Sequence, residues 1–332
     1  MTLIRKLIIV VTLVVLAAGG WLAYYATSPL ALPGAPVEFT VQPGSSLKQV
    51  ARQLAENQAL PGIAGAEQFV LLARLLGKAG EIKAGNYQLL AAATPMQLLE
   101  RLTKGDVTQS EIKFIEGWTF REMRVALNSH AKLKHDTVNL SEQEILQRIN
   151  ASEAAAEGLF FPDTYFFVQE SSDTAVLKRA YRAMQQHLET SWKAKGAGIP
   201  LDNPYQALIL ASIVEKETGR ESDRAKVAAV FVNRLKIGML LQTDPTVIYG
   251  LGEKFDGNLR KKDLLADQPY NTYTRAGLPP TPISMPGLAS IQAVLNPAKT
   301  DALYFVARGD GSSEFSASLD AHNRAVNKFQ RR

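Results

Sequence analysis

Residues 7–26 read LIIVVTLVVLAAGGWLAYYA, twenty positions without a charge. As an α-helix this stretch would reach about 30 Å, the thickness of a bilayer's hydrocarbon core. Arg5 and Lys6 precede it, and the positive-inside rule holds such residues in the cytoplasm while the rest of the chain goes outward. Trp21, Tyr24 and Tyr25 fall where an outer aromatic belt would lie. The alternative is a cleaved signal peptide, with Ala17-Ala18-Gly19 as the small-residue cleavage site. The apolar run continues seven residues past Gly19, which favours a retained, single-pass anchor. Under either reading the body of the chain is extracytoplasmic, in an envelope of bacterial type.

Composition narrows the chemistry of that body. At 46% apolar and 21% charged, the 332-residue chain has globular composition. It contains no Cys, which removes disulfides, thiolate nucleophiles and Cys-ligated zinc, so stability must come from packed cores. The four His are scattered and form no HExxH pair, so no metal centre is expected. No phosphate-cradling glycine motif suggests a nucleotide cofactor, and a net charge of +5 is too mild to argue for nucleic acid.

The sequence divides into a cytoplasmic tail (1–6), an anchor (7–26), a Pro-rich linker (27–36), a small α+β module (37–108) and a larger mixed α/β domain (109–332), an α+β chain overall. In the module, residues 37–41 alternate as a strand should, and Ser45 or Ser46 caps a helix carrying Leu47, Val50, Ala51 and Leu54. A second helix is expected over about 66–76, a return strand over 86–89, and a third helix from Thr94-Pro95 to Gly105. The opening FTVQPGSSLKQVARQL resembles that of a LysM domain, a glycan-binding module; a generic strand-turn-helix spacer is the other reading. Beyond it, residues 111–115 are strand-like, and Thr119 with Glu122 and Ser141 with Glu144 form capping boxes. The aromatic stretch 160–167 is either a core-anchored turn or the wall of a carbohydrate groove.

The chemistry concentrates in one helix. Asn203-Pro204 gives an N-cap and a first-turn Pro, and residues 207–214 are apolar around the whole circumference except for Ser212, so the helix is buried. Glu215 and Glu217 close it before Gly219. They stand about 200° apart and cannot share one pocket as a pair, and periodicity does not choose between them. A carboxyl in apolar surroundings has its pKa raised and can serve as a general acid; the plainer role is a helix-end Glu reaching solvent, Arg220 or Arg224. Ser222 is expected to cap the next helix, and 241–246 to form a polar turn. Gln242, Thr243, Asp244, Tyr270, Asn271, Thr272 and Tyr273 combine aromatic faces with amide and hydroxyl groups near a Pro-stiffened loop, and are the candidates for holding a sugar.

The segments ASIVEKETG, NRLKIGMLLQTDPTVIYG, PYNTYTRAGLPPTPISMPG and LYFVARGDG, with EGWTFREM and GLFFPDTYFF before them, closely resemble the MltG/YceG-like family of endolytic murein transglycosylases. The resemblance covers nearly the whole chain. It implies an inner-membrane protein with its catalytic domain in the periplasm. The expected activity cuts the β-1,4 bond between N-acetylmuramic acid and N-acetylglucosamine in nascent peptidoglycan, leaving 1,6-anhydro ends and terminating strand elongation. The first Glu of the family's EKE segment is catalytic and falls on Glu215. Peptidoglycan strands, and peptidoglycan synthases in the same membrane, are the implied partners. One departure is Asn296-Pro297, where some relatives carry His-Pro. A hydrolase of the same bond is a rival and would need a second carboxylate, with Asp163, Asp244 and Glu253 available. A non-catalytic glycan-binding scaffold is another, and a serine protease using Ser212 lacks a nearby His.

Overall fold

A computed structural model describes residues 3–30, 32, 37–42, 44–89, 92–105 and 109–330. The chain is mixed α+β and forms two compact units, one of residues 1–110 with 166–170, the other of 111–165 with 171–332.

In the first unit, α1 (Leu3–Thr27) contains the apolar run. Among the described residues it is the one helix long and apolar enough to cross a membrane, and that window is unburied. Strands β1 (Val37–Val41) and β2 (Gly85–Leu89) pair antiparallel, with Phe39 opposite Tyr87 and their rings stacked. Between them lie α2 (Leu47–Glu56) and α3 (Gly62–Leu75), and α4 (Pro95–Lys104) follows. Ser46 and Thr94 each close a capping box with a Gln three residues on, and Gly105 ends α4 in the left-handed conformation. The second helix begins four residues earlier than the apolar spacing suggested, because Pro61 and Gly62 start it without a polar cap. Leu54, Phe69, Leu72, Leu98 and Leu99 form the core together with Ala26 and Leu30. The Leu30 N–H donates to the Ala93 carbonyl at 2.8 Å. Thus Thr27 belongs to the helix, Ser28 donates back to the Tyr24 carbonyl, Leu30 belongs to the packed core, and of the expected linker only residues 31 and 33–36 lie outside the described residues.

The second unit is mostly helical. Strand β3 (Gln109–Lys113) precedes α5 (Phe120–Ser129), β4 (Leu133–Lys134) and α6 (Glu142–Ile149), and both capping boxes form as expected. Strand β5 (Thr164–Val168) pairs with β3, and β6 (Ser171–Ser172) runs parallel to β4. Phe160, Phe161, Tyr165 and Phe167 are buried, so this aromatic stretch is core; only Phe166 is strongly exposed among its rings. Then come α7 (Asp173–Lys193), α8 (Pro204–Glu217), α9 (Glu221–Lys236), α10 (Asp244–Leu251), α11 (Lys261–Leu265) and α12 (Leu288–Leu295). A hairpin of β7 (Tyr304–Ala307) and β8 (Ser313–Ser316) and the helix α13 (Leu319–Phe329) end the unit.

Every residue of 207–214 is buried, as an all-apolar helix requires, and α8 packs on α7, α9 and α12. Two local readings are corrected. Arg220, not Ser222, is the N-cap of α9, and the Ser222 hydroxyl accepts from Arg220 Nε instead. The polar stretch after Gln242 is the start of α10, with Thr243 at its N-cap and Pro245 in its first turn, where a missing N–H costs nothing.

Candidate active site

Helix α8 ends where three other segments meet it. Ser212 is fully buried; its hydroxyl donates to the Ile209 carbonyl and accepts from the Ile283 N–H, and its carbonyl accepts from the Ser284 hydroxyl. These bonds lay residues 283–287 along the helix and leave Ser212 with no free nucleophilic oxygen. The same segment then starts α12 at Gly287. Glu215 Oε2 accepts from the Gly287 N–H at 3.0 Å and from Ser290 Oγ at 2.7 Å. The carboxylate therefore sits at the N-terminal end of α12, where unpaired N–H groups and the helix dipole favour negative charge.

The segment before α5 closes on the same point. Gly117 exchanges backbone hydrogen bonds with 285 across the site: its N–H donates to the Met285 carbonyl at 2.8 Å, and the Met285 N–H donates to Trp118 at 2.7 Å. Lys216 Nζ donates to the Gly117 carbonyl at 3.2 Å. Gly117 has φ +79°, a conformation that L side chains rarely adopt. Its neighbour Glu116 reaches over Gly287: a Cβ added to that glycine would stand 1.9 Å from Glu116 Oε1. Two carboxyl groups, Glu215 and Glu116, thus flank one glycine. Burial, reinforced by the charge of Glu215, raises the pKa of Glu116 above its ordinary value, and Arg224 opposes the rise.

Glu217 points elsewhere. Its Oε1 accepts a short hydrogen bond from the Thr243 hydroxyl. Burial raises its pKa, with Thr243 and the Arg234 guanidinium acting against that. Both helix-end carboxyls therefore take neutral partners, not Arg220 or Arg224.

The seven sugar-binding candidates gather beside Glu217. The Thr243 N–H donates to Thr272 Oγ1 at 3.0 Å, and the Gln242 N–H donates to the Thr272 carbonyl at 3.1 Å. Asn271 is fully buried and spends its amide on the carbonyls of Asp263, Leu264 and Ala266, so it ties α11 to the loop. Thr243 and Thr272 are also buried. Exposed groups in the cluster are Gln242 and Asp244, and the rings of Tyr270 and Tyr273 are half-buried. Tyr273 Oη donates to Asp244 Oδ1 at 2.5 Å, and Tyr270 shares a 2.9 Å hydrogen bond with Thr281.

A cleft of about 960 Å³ opens beside this loop, lined by Phe120, Arg121, Glu157, Lys216, Tyr249 and Tyr270 among others. Glu157 is only 6% exposed. It accepts from the Phe120 N–H at 3.0 Å and from Tyr249 Oη at 3.1 Å, and burial pushes its pKa up to about 7. Of the carboxylates held in reserve for a hydrolase, Glu253 pairs with Arg121, Asp163 accepts from the Thr164 N–H and Asp244 holds Tyr273. The carboxyl brought to Glu215 is Glu116. Neither it nor Glu157 was singled out by sequence reasoning, although EGWTFREM and the Glu157-Gly158 step into LFFPDTYFF mark both positions. Among the described residues no group of three or more His, Asp or Glu is arranged to hold a metal.

Known proteins share this arrangement of segments. A protein of Bacillus subtilis named endolytic murein transglycosylase is 32% identical over 311 residues, covering 88% of this chain and 84% of the relative. A Streptococcus pneumoniae protein of the same name is 28% identical over 282 residues, 74% of this chain and 50% of the longer relative. The crystal structure of a YceG-like protein from Listeria monocytogenes superposes with a TM-score of 0.53 at 28% identity, covering 88% of this chain and 99% of that one. The YceG-like family itself matches residues 39–328, the two-carboxyl site included, and the chain belongs to that family.

Proposed function

We propose that this chain is an endolytic murein transglycosylase with Glu215 as its single proton-transfer group. The observation that carries the reading is the placement of Glu215 at the exposed end of a buried helix, with its carboxylate held by the Gly287 N–H and the Ser290 hydroxyl. A carboxyl so fixed can give a proton to the leaving 4-oxygen of N-acetylglucosamine and keep both donors once it is an anion. It then takes the proton of the muramyl 6-hydroxyl as that oxygen attacks C1. The nucleophile belongs to the substrate, so the product is a 1,6-anhydro ring and no water is consumed. Family membership and the names of the Bacillus and Streptococcus relatives support the substrate class.

The finer picture follows from the same reading. Helix α1 anchors the chain in the inner membrane with residues 1–6 in the cytoplasm, which the apolar stretch from Arg5 to Thr27 supports. Residues 109–332 form the catalytic domain outside. The β-α-α-β order of 37–89 supports a LysM-like module that engages glycan. Gln242, Asp244, Tyr270 and Tyr273 contact the sugar, while Thr243, Asn271 and Thr272 hold their loop in place. Cutting nascent strands beside the synthases would end their elongation.

The test is mass spectrometry of glycan released from peptidoglycan by the full-length protein in detergent. Products lacking one water at the muramyl end are expected. Reducing muramyl ends would replace the transglycosylase with a hydrolase, and binding without release would leave a scaffold.

A further inference from the structure

The space beside Glu215 is not occupied by solvent alone. Glu116 stands on the strand-to-helix segment before α5, whose next residue, Gly117, accepts from Lys216 Nζ on α8 across 99 residues of sequence. Its carboxyl fills the volume that any side chain at 287 would need: Oε1 is 1.9 Å, and Cδ 2.3 Å, from where a Cβ would lie. The Gly287 N–H meanwhile serves Glu215. Gly287 itself has φ −74°, a value open to every residue, so its backbone does not require glycine. What a side chain there would meet is the Glu116 carboxyl. Glu116 is also solvent-exposed as a residue, and hence within reach of a ligand, whereas Glu157 is buried and Glu217, half-buried, bonds to Thr243.

We propose that Glu116 is a second working carboxyl of this site, an anion across Gly287 from Glu215 that faces the sugar carbon where positive charge develops. The proposal rests on the reading of Glu215 given above and adds to it the missing countercharge. Bond cleavage at C1 leaves an oxocarbenium-like centre, and a fixed anion beside it lowers the barrier without exchanging a proton. The balance is simple. Glu215 gives its proton to the leaving oxygen, the C1–O4 bond breaks, the 6-oxygen bonds to C1, and its proton returns to Glu215. Glu116 begins and ends as a carboxylate. Arg224 on α9 acts on Glu116, and Lys216 on α8 donates to the Gly117 carbonyl next to it. A methyl group at 287 would push the Glu116 carboxyl out of this place.

The experiment compares Glu116→Gln, Gly287→Ala and Glu215→Gln in the full-length protein. Total glycan release is measured separately from product mass, with thermal unfolding as the control for folding. Glu116→Gln should cut total release by about 10²-fold, the typical value of one preorganised electrostatic group, while glycan binding and unfolding temperature stay near normal. Gly287→Ala keeps both carboxyls and the N–H bond to Glu215 yet should lose about tenfold, and the double variant should be no worse than Glu116→Gln alone. Near-normal release by Glu116→Gln would overturn the proposal while leaving Glu215 in its role. So would a Gly287→Ala loss that is undiminished in the Glu116→Gln background. Reducing ends from the wild-type protein, with Glu116→Gln still impaired, would overturn the transglycosylase reading and keep Glu116 as a working carboxyl, now beside an attacking water. Absence of any release by the wild-type protein would overturn both.

Discussion

Two kinds of carboxyl occur within a few residues of one another on the same scaffold. At the end of α8 that meets Gly287, Glu215 and Glu116 are reachable from solvent, and the partners of Glu215 are a backbone N–H and a serine hydroxyl. Beside the 242–244 loop and in the cleft by Tyr249, half-buried Glu217 and buried Glu157 are tied to protein hydroxyls. Burial raises the proton affinity of both, and that of Glu116 as well. A displaced pKa alone therefore does not separate the two settings. Two donors fixed at the start of α12 mark Glu215, and the 200° between positions 215 and 217 keeps the two settings apart on one helix.

The largest expected effect breaks this comparison most directly. Glu215→Gln retains volume and hydrogen bonding but cannot donate and recover a proton, so release of anhydro products should fall by about 10²–10⁴ or more. Glu217→Gln should lose less than about tenfold, since its partner Thr243 can bond an amide as well. Product release followed for both variants, with circular dichroism as the folding control, decides it. Equal losses would mean that the two residues act as one unit.

The class tied to protein hydroxyls should reveal itself in stability instead. The folded-state pKa of Glu157, about 7, lies above the ordinary carboxyl value, so the folded chain holds this proton more tightly than the unfolded one. Its contribution is greatest below about pH 4.5 and is lost as pH rises through 7, a change on the order of 3 kcal/mol. Glu157→Gln fixes the neutral state and should remove that dependence. The unfolding temperature of the variant, relative to wild type, should be clearly higher at pH 8 than at pH 5. The same offset at both pH values would place Glu157 outside that class.

Much of the scaffold was legible because its signals are local. Ser46, Thr94, Thr119, Ser141 and Asn203 cap the helices that their sequence neighbours announce, and residues 207–214 are buried as their all-round apolarity demands. Other features were hidden for physical reasons. The start of α10 reads as a turn, since Thr, Asp and Pro serve both turns and helix N-termini. The burial of Asn271 depends on two carbonyls of α11 and that of its C-cap Ala266, and a helix of five residues has no periodicity to show it. Glu116 meets Gly287 and Glu215 only after the chain has closed on itself, and no spacing rule spans that distance.

Ser290 sharpens the open side of the comparison. Ser290→Ala removes one of the two donors to Glu215 while leaving the Gly287 N–H. A hydrogen bond to a charged group contributes about 1.5–3 kcal/mol, so the rate of product release should drop by about 10- to 100-fold. Ser290 is buried, and Ala fits the space in α12, so unfolding should change little. A variant with normal turnover would show that the backbone donor alone fixes the carboxylate.

The smallest expected effect separates ring from hydroxyl in the loop beside Glu217. Tyr273 is half-buried, and its hydroxyl donates to the exposed Asp244. That bond is near solvent, so Tyr273→Phe should cost about 1 kcal/mol of stability or less and leave glycan affinity almost unchanged. Tyr273→Ala deletes the face on which a sugar ring could stack, and should weaken glycan binding by several-fold through about 1 kcal/mol of lost contact. Cosedimentation with peptidoglycan and thermal unfolding, applied to both variants, read the two contributions independently. If Ala instead unfolds the protein by the roughly 3–5 kcal/mol typical of a core aromatic, Tyr273 belongs with Asn271 and Thr272 as part of the support for the loop. The glycan would then have to be held by Tyr270, Gln242 and Asp244, the remaining loop candidates that are not buried.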